Sequence, residues 1–84
     1  MRVFFAVDNY LSIIPNPVKD IFSINAPSFT NATLTIYDIT GRTIMLQPFN
    51  MKASIDILSL SNGVYIIELQ NKDGVSLKGK FVKE

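Results

Sequence analysis

The sequence predicts an all-β protein, an Ig-like antiparallel β-sandwich of about seven strands with Greek-key topology. Ile, Val, Thr, Phe and Tyr recur in short runs, and these residue types favour strands. Turn-forming residues interrupt the runs about every 8–12 positions, a spacing typical of β-sandwiches. No stretch has the 3.6-residue apolar period of an amphipathic helix. A chain of 84 residues is long enough for one such domain.

The first two strands are predicted from short apolar runs near the N-terminus. Val3–Val7 forms the first run, and Asp8 ends it before it reaches the roughly 7–15 residues of a signal-peptide core. Leu11–Ile14 forms the second. The following segment, Pro15–Pro17, is predicted to turn, because two prolines remove backbone donors from a strand ladder.

Two turns further along share one pattern, with Asp or Asn in the first position and Gly in the fourth. They begin at Asp38 and at Asn71. The first side chain bonds back to the turn backbone, and Gly supplies the left-handed residue of a type I turn with a G1 bulge. Each turn then joins two antiparallel strands through a three-residue loop.

These turns set the register of two predicted hairpins. The loops pair Asp38 with Arg42 and Asn71 with Val75. Counting back from them places apolar residues opposite one another on one face, which agrees with the strand alternation. The predicted apolar pairs are Ile36 with Ile44, Leu34 with Leu46, Leu69 with Leu77, and Tyr65 with Phe81.

The remaining strands are predicted from alternation at Ile21–Asn25 and around Ile55 and Ile57. A more specific pattern follows, in which Leu60, Gly63 and Tyr65 lead into the penultimate strand. This pattern is typical of a tyrosine corner, in which the phenol bonds to backbone upstream and the ring packs in the core. The alternative is an ordinary strand tyrosine.

The composition argues against an enzyme. With no His and no Cys, the chain lacks the usual general base, the commonest metal ligand and a Ser–His nucleophile. Asp38 and Asp73 are explained by turns, while Asp56 and Glu68 fall at outward strand positions. We therefore expect no catalytic residue, no cofactor and no metal ion. A net charge of +1 predicts no nucleic-acid partner, and no apolar run is long enough for membrane insertion.

Basic residues concentrate near the C-terminus. Lys72, Lys78, Lys80 and Lys83 place half of the eight basic residues in the last thirteen positions. One interpretation is a solvated edge strand, which lysines protect against aggregation. The other is a recognition strip, since a sheet edge is also a natural docking surface.

Three short segments of the chain form a recognisable series. They are Ile14–Asp20 (IPNPVKD), Ile36–Arg42 (IYDITGR), and Leu60–Ile66 (LSNGVYI) followed by Lys80–Glu84 (KFVKE). In this order they resemble the type A C-terminal sorting domains of the type IX secretion system (Por secretion system) of Bacteroidota. Ile14 stands where the family usually has an aromatic residue before Pro15-Asn16-Pro17. The resemblance covers residues 11–84, which leaves residues 1–10 as an N-terminal extension or first strand.

The resemblance implies a non-catalytic secretion signal on a protein that is secreted or held at the cell surface. Such domains follow a cargo protein that reaches the periplasm by a separate signal, so we expect this chain to be a fragment of a longer protein. The implied partners are the type IX translocon and a sortase-like peptidase that often removes the domain afterwards. The alternative is a generic Ig-like or fibronectin-like adhesion or spacer module of an extracellular protein, which would tolerate residues added after Glu84.

The candidate site residues fall into two groups. The first group would be recognised by the secretion machinery, and the second would maintain the fold. The recognition residues are Asp38, Gly41, Arg42, Lys80, Phe81, Val82, Lys83 and Glu84. The structural residues are Pro15, Asn16, Pro17, Leu60, Gly63, Tyr65 and Gly74.

Overall fold

A computed structural model describes residues 2–7, 10–14 and 20–84, with side chains described from Asp20 onward. The predicted turn at Pro15, Asn16 and Pro17 lies outside the described residues. The described strands are β1 Arg2–Val7, β2 Tyr10–Ile14, β3 Ile21–Asn25, β4 Ala32–Asp38, β5 Thr43–Phe49, β6 Lys52–Asp56, β7 Gly63–Gln70 and β8 Ser76–Lys83. Nowhere in these ranges is there a helix with the length and apolar character needed to cross a membrane.

The strands form two sheets, which confirms the all-β, sandwich-like fold. The six-stranded sheet has the order β1-β2-β8-β7-β4-β5, and the two-stranded sheet pairs β3 with β6. The described residues contain eight strands where about seven were predicted, and Greek-key topology stays a prediction. The purely antiparallel arrangement is wrong at one pair, because β2 runs parallel to β8 with Tyr10 opposite Lys78. Parallel neighbours need a crossover connection, and here almost the whole domain lies between them.

The core lies between the two sheets. Phe22 and Ile24 of β3 and Ile55 of β6 are buried against the inner face of the large sheet. The Phe22 ring meets the Phe81 ring of β8 at a centroid distance of 4.9 Å and an interplanar angle of 51°. Each such side chain stabilises the fold by roughly 1.5–3 kcal/mol when it is fully buried.

The first hairpin has the predicted turn but a different register. Asp38 pairs with Arg42 as expected, yet Ile36 lies opposite Met45 and Leu34 opposite Gln47. A β-bulge next to the turn causes this shift, because β5 carries one extra residue between Thr43 and Met45. The predicted pairs of Ile36 with Ile44 and of Leu34 with Leu46 are therefore wrong, and Leu46 is 65% exposed.

The second hairpin has the predicted register throughout. The backbone N–H of Asn71 donates to the carbonyl of Val75 at 3.0 Å. The strands then run regularly from the turn, with no bulge. The apolar pairs of Leu69 with Leu77 and of Tyr65 with Phe81 are confirmed.

The last strand is an interior strand, so its interpretation as a sheet edge is wrong. β8 lies between β2 and β7, while β1 and β5 are the outer strands of the large sheet. An N-terminal strand covers the side of β8 that the hairpin with β7 leaves open. Lys78 and Lys80 are exposed, whereas Lys83 lies in a row with the buried residues of β8 and is itself buried.

Candidate recognition site

The ladders bring the candidate recognition residues to one end of the large sheet. Asp38 of β4 lies opposite Tyr65 of β7, which lies opposite Phe81 of β8. Because neighbouring strands are about 4.8 Å apart, the backbones of Asp38 and Phe81 are roughly 10 Å apart. The turn after Asp38 and the residues after Phe81 extend beyond this row at the same end. Segments far apart in sequence thus form one candidate surface.

The Asp38 carboxylate organises the turn between β4 and β5. Its Oδ1 accepts hydrogen bonds from the backbone N–H of Thr40 at 2.9 Å, from the Thr40 hydroxyl at 2.5 Å and from the backbone N–H of Arg42 at 3.0 Å. Its Oδ2 lies 3.4 Å from Nε of Arg42. These contacts lower the pKa of Asp38. The hydrogen bond from the Thr40 hydroxyl contributes most, and the two backbone N–H donors and the Arg42 charge add to it. Desolvation has a smaller effect than the Thr40 hydroxyl and acts in the opposite direction.

Gly41 completes this turn because its backbone is left-handed. Its φ is +92°, a conformation that residues with a side chain rarely adopt. No atom lies within 4 Å of where a Cβ would stand, so the requirement is conformational rather than one of space. Gly74 has a φ of +85° in the second turn and has the same role there.

The turn presents two side chains to solvent. The Arg42 side chain is 77% exposed, and its guanidinium is held only at one edge by Asp38. Ile39 is also exposed, at the tip of the loop. A rigid turn with an arginine and an isoleucine at its surface is suited to contact with another protein.

The C-terminal segment Lys80–Glu84 divides into alternating faces. Lys80 and Glu84 are exposed and Val82 is half-buried, but Phe81 is 0% exposed and Lys83 is 7% exposed. The Lys83 ammonium donates to the backbone carbonyl of Glu84 at 3.5 Å. A partner can therefore touch the alternate residues of this segment, while Phe81 and Lys83 belong to the interior of the folded domain.

The predicted tyrosine corner is confirmed. The Tyr65 hydroxyl donates to the Ser61 carbonyl at 2.7 Å, and its ring stacks on Phe81 at a centroid distance of 5.5 Å. Leu60 packs against the same core, and Gly63 begins β7 opposite Lys83. This corner fixes the entry of β7 and so the position of the last strand beside it.

One arrangement on the outer face of the large sheet was missed from the sequence. The Tyr37 hydroxyl donates to Oε1 of Glu68 at 3.1 Å. Burial, followed by this bond and the Glu68 charge, raises the pKa of Tyr37. The contact depends on the pairing of β4 with β7, which no local turn predicts, so only a correct sheet order could have revealed it.

The part of the chain with described side chains contains no group of three or more His, Cys, Asp or Glu side chains placed to hold a metal ion. Its buried side-chain polar atoms all have hydrogen-bond partners. What these residues do offer is a set of exposed side chains on a rigid β-scaffold.

Comparisons with known proteins indicate the family to which the chain belongs. The family profile described as a secretion system C-terminal sorting domain matches residues 12–84. The chain is 32% identical over 76 residues to an endo-acting ulvan lyase of Formosa agariphila, a match that covers 83% of this chain and 14% of the lyase. It is 31% identical over 72 residues to beta-agarase D of Zobellia galactanivorans, covering 86% of this chain and 14% of the agarase. No solved structure matches the chain.

The share of the chain that the family profile covers decides the family assignment. The profile covers all of the chain except the first eleven residues. The chain spans only about 14% of each relative's length, so the similarity is confined to one small part of those enzymes. The chain therefore belongs to the family of secretion system C-terminal sorting domains, the type IX signals that direct proteins out of the cell or to its surface.

Proposed function

We propose that the type IX translocon recognises this domain through the end of the large sheet that carries the Asp38–Arg42 turn and Glu84. The observation that carries the proposal is the exposed Arg42 on a turn fixed by the Asp38 carboxylate, at the same end as the last residues of the chain. The domain acts in this account as a rigid ligand and has no catalytic role of its own.

The proposal includes a cargo ahead of the domain. The two relatives are named as enzymes and are several times longer than this chain, which supports a sorting domain of residues 11–84 preceded by a separate functional part. Because Arg2–Val7 form the outer strand β1 of the large sheet, the cargo lies ahead of this strand. The cargo crosses the periplasm, and a sortase-like peptidase removes the domain after translocation.

An export assay tests this function. A periplasm-directed fluorescent protein is placed before residues 1–84 and expressed in a bacterium with a type IX system. External fluorescence is then compared with that of a translocon-deficient strain. We expect export that depends on the translocon and that is lost when a short flexible extension follows Glu84. A folded fusion that stays in the periplasm contradicts the proposal and favours a generic adhesion or spacer module. Equal export of the extended fusion contradicts recognition at the chain end.

A further inference from the structure

The outer strand β5 has one side of its backbone open. Among the strands of residues 2–7, 10–14 and 20–84, β5 is hydrogen-bonded to β4 alone. Native sheets often protect such an edge with charged side chains, but Thr43–Phe49 contains none. Leu46, in the middle of the strand, is 65% exposed. β5 therefore has an open edge of uncharged residues.

The hydrogen-bond pattern of β4 shows which β5 residues face outward. The backbone N–H of Asp38 donates to the carbonyl of Arg42 at 3.0 Å, so Asp38 directs its backbone groups toward β5. In an antiparallel strand every second residue faces the same neighbour, so Leu34 also faces β5, where it lies opposite Gln47. Gln47 faces β4 in return. Leu46, the residue before Gln47, therefore directs its N–H and C=O away from β4.

Pro48 supports this assignment of directions. It lies two residues after Leu46 and so faces outward in the same way. A proline has no N–H to donate, and within a strand it is tolerated where the backbone faces away from the neighbouring strand. Between these two residues the open edge offers the N–H of Leu46 and the carbonyl oxygens of both. Pro48 limits the length of strand that can pair here.

The charge beside β5 favours a different protein over a second copy of this chain as the occupant of the edge. β5 begins directly after Arg42, whose side chain is 77% exposed and can pair with an acidic residue of a partner. If two copies paired antiparallel about Leu46, Arg42 would align with residues 49–51 of the other copy. Those three residues are uncharged. A second copy thus offers Arg42 no carboxylate at this place.

We infer that a protein of the secretion machinery adds an extended strand to the open edge of β5. The added strand is apolar at most positions and carries an acidic residue where it passes Arg42. Its backbone pairs with Leu46 and Pro48, and this pairing supplies affinity, while the acidic residue supplies specificity. The inference rests on the proposed function, which provides the partner and places Arg42 at the interface.

The test is export of the periplasm-directed fluorescent fusion with residues 1–84, carrying Leu46→Pro. This variant removes the outward N–H, and the next outward position already holds a proline, Pro48. Lys72→Pro is the matched control. Lys72 is exposed and follows Asn71 in the turn at the other end of the sheet, at the position of a type I turn where proline is favoured. Urea unfolding of the purified chains checks that both variants fold.

We expect Leu46→Pro to lower translocon-dependent export by about tenfold, because a carbonyl of the added strand loses its donor, and Lys72→Pro to leave export unchanged. Leu46→Thr keeps the N–H, so its export should exceed that of Leu46→Pro severalfold. Equal export of Leu46→Pro and Leu46→Thr, or equal losses in Leu46→Pro and Lys72→Pro, would overturn the inference. If Leu46→Pro does not fold, Leu46→Lys replaces it, since a charge in the edge also opposes strand addition. Full export of folded Leu46→Lys would then overturn the inference.

The same assay separates this inference from the proposed function. A wild-type fusion that is not exported would overturn both. Full export of folded Leu46→Pro beside reduced export of Arg42→Ala would overturn strand addition alone and leave recognition through the Arg42 turn standing.

Light scattering of the purified 84-residue chain tests the second copy as occupant. We expect a monomer. A dimer that Leu46→Pro dissociates would show that the edge of β5 binds its own copy, and this result would overturn the inference.

Discussion

Asp38 and Asn71 occupy the same position in two turns of the same type, but only one of them carries a charge. Oδ1 of Asn71 accepts hydrogen bonds from the backbone N–H groups of Asp73 and Val75, at 2.9 and 3.0 Å. Oδ1 of Asp38 accepts the equivalent bonds from Thr40 and Arg42, and its second oxygen faces the guanidinium. The geometry of the turn needs an oxygen acceptor, whereas orientation of Arg42 needs the negative charge.

The charge makes the first turn sensitive to acid. The hydrogen bonds that Asp38 accepts favour its ionised carboxylate, so its pKa is lower in the folded protein than in the unfolded chain. The resulting stabilisation is complete above the ordinary carboxyl pKa of about 4 and is lost as the pH falls through the lower folded value. We expect Asp38→Asn to keep the turn, as Asn71 does, and to remove this part of the acid dependence.

Urea unfolding at neutral pH and at about pH 3 measures this effect, since an Asp carboxyl of the unfolded chain becomes largely protonated between these values. Asn71→Asp is the reciprocal variant and should gain acid sensitivity. Identical loss of stability with acid in the wild type and in Asp38→Asn would contradict the assignment.

Lys83 has a different role from the exposed residues around it. Because its side chain is buried, we expect Lys83→Ala to lower the free energy of unfolding by about 1–2 kcal/mol through lost packing of its methylene stem. Lys83→Met fills a similar volume and should restore most of that loss. Chemical unfolding of the three proteins measures this. A Lys83→Ala variant that is as stable as the wild type but is not exported would instead make Lys83 a contact residue.

At the scale of the strands, local chemistry predicted the turns and only part of the register. The second hairpin was predicted correctly because its strands leave the turn regularly and alternate strictly. The first was not, because Ile44, Met45 and Leu46 are three consecutive apolar residues, and alternation cannot choose which of them faces the core. The neighbours of β8 and the pairing of β4 with β7 join distant segments, and no local signal specifies them.

Two substitutions on β5 test the bulged register. Met45 packs against the core and Leu46 points to solvent. We expect Leu46→Lys to change the free energy of unfolding by less than about 0.5 kcal/mol and Met45→Lys to lower it by roughly 2 kcal/mol. Urea unfolding distinguishes the positions. If Leu46→Lys lowered the free energy of unfolding more than Met45→Lys, the result would contradict the bulged register and favour the pairing of Leu34 with Leu46.

At the scale of the whole molecule, the sequence indicated the class of function more clearly than the surface that performs it. The absence of His and Cys argued against common enzyme chemistry, and three short segments indicated the family. All five residues from Lys80 to Glu84 were predicted to be recognised. Strand alternation divides them, so that Phe81 and Lys83 maintain the core while Lys80 and Glu84 remain accessible.

The most direct test of the account is translocon-dependent export of a fusion that carries Arg42→Ala. The hydrogen bonds that fix the turn go to backbone N–H groups and to Thr40, so this variant should fold normally. Lys52→Ala removes an exposed cation from the other sheet and serves as the control. We predict that Arg42→Ala lowers export by about tenfold, as expected for an arginine that anchors an interface, and that Lys52→Ala leaves it unchanged. Full export of a folded Arg42→Ala fusion would contradict recognition through this end of the sheet.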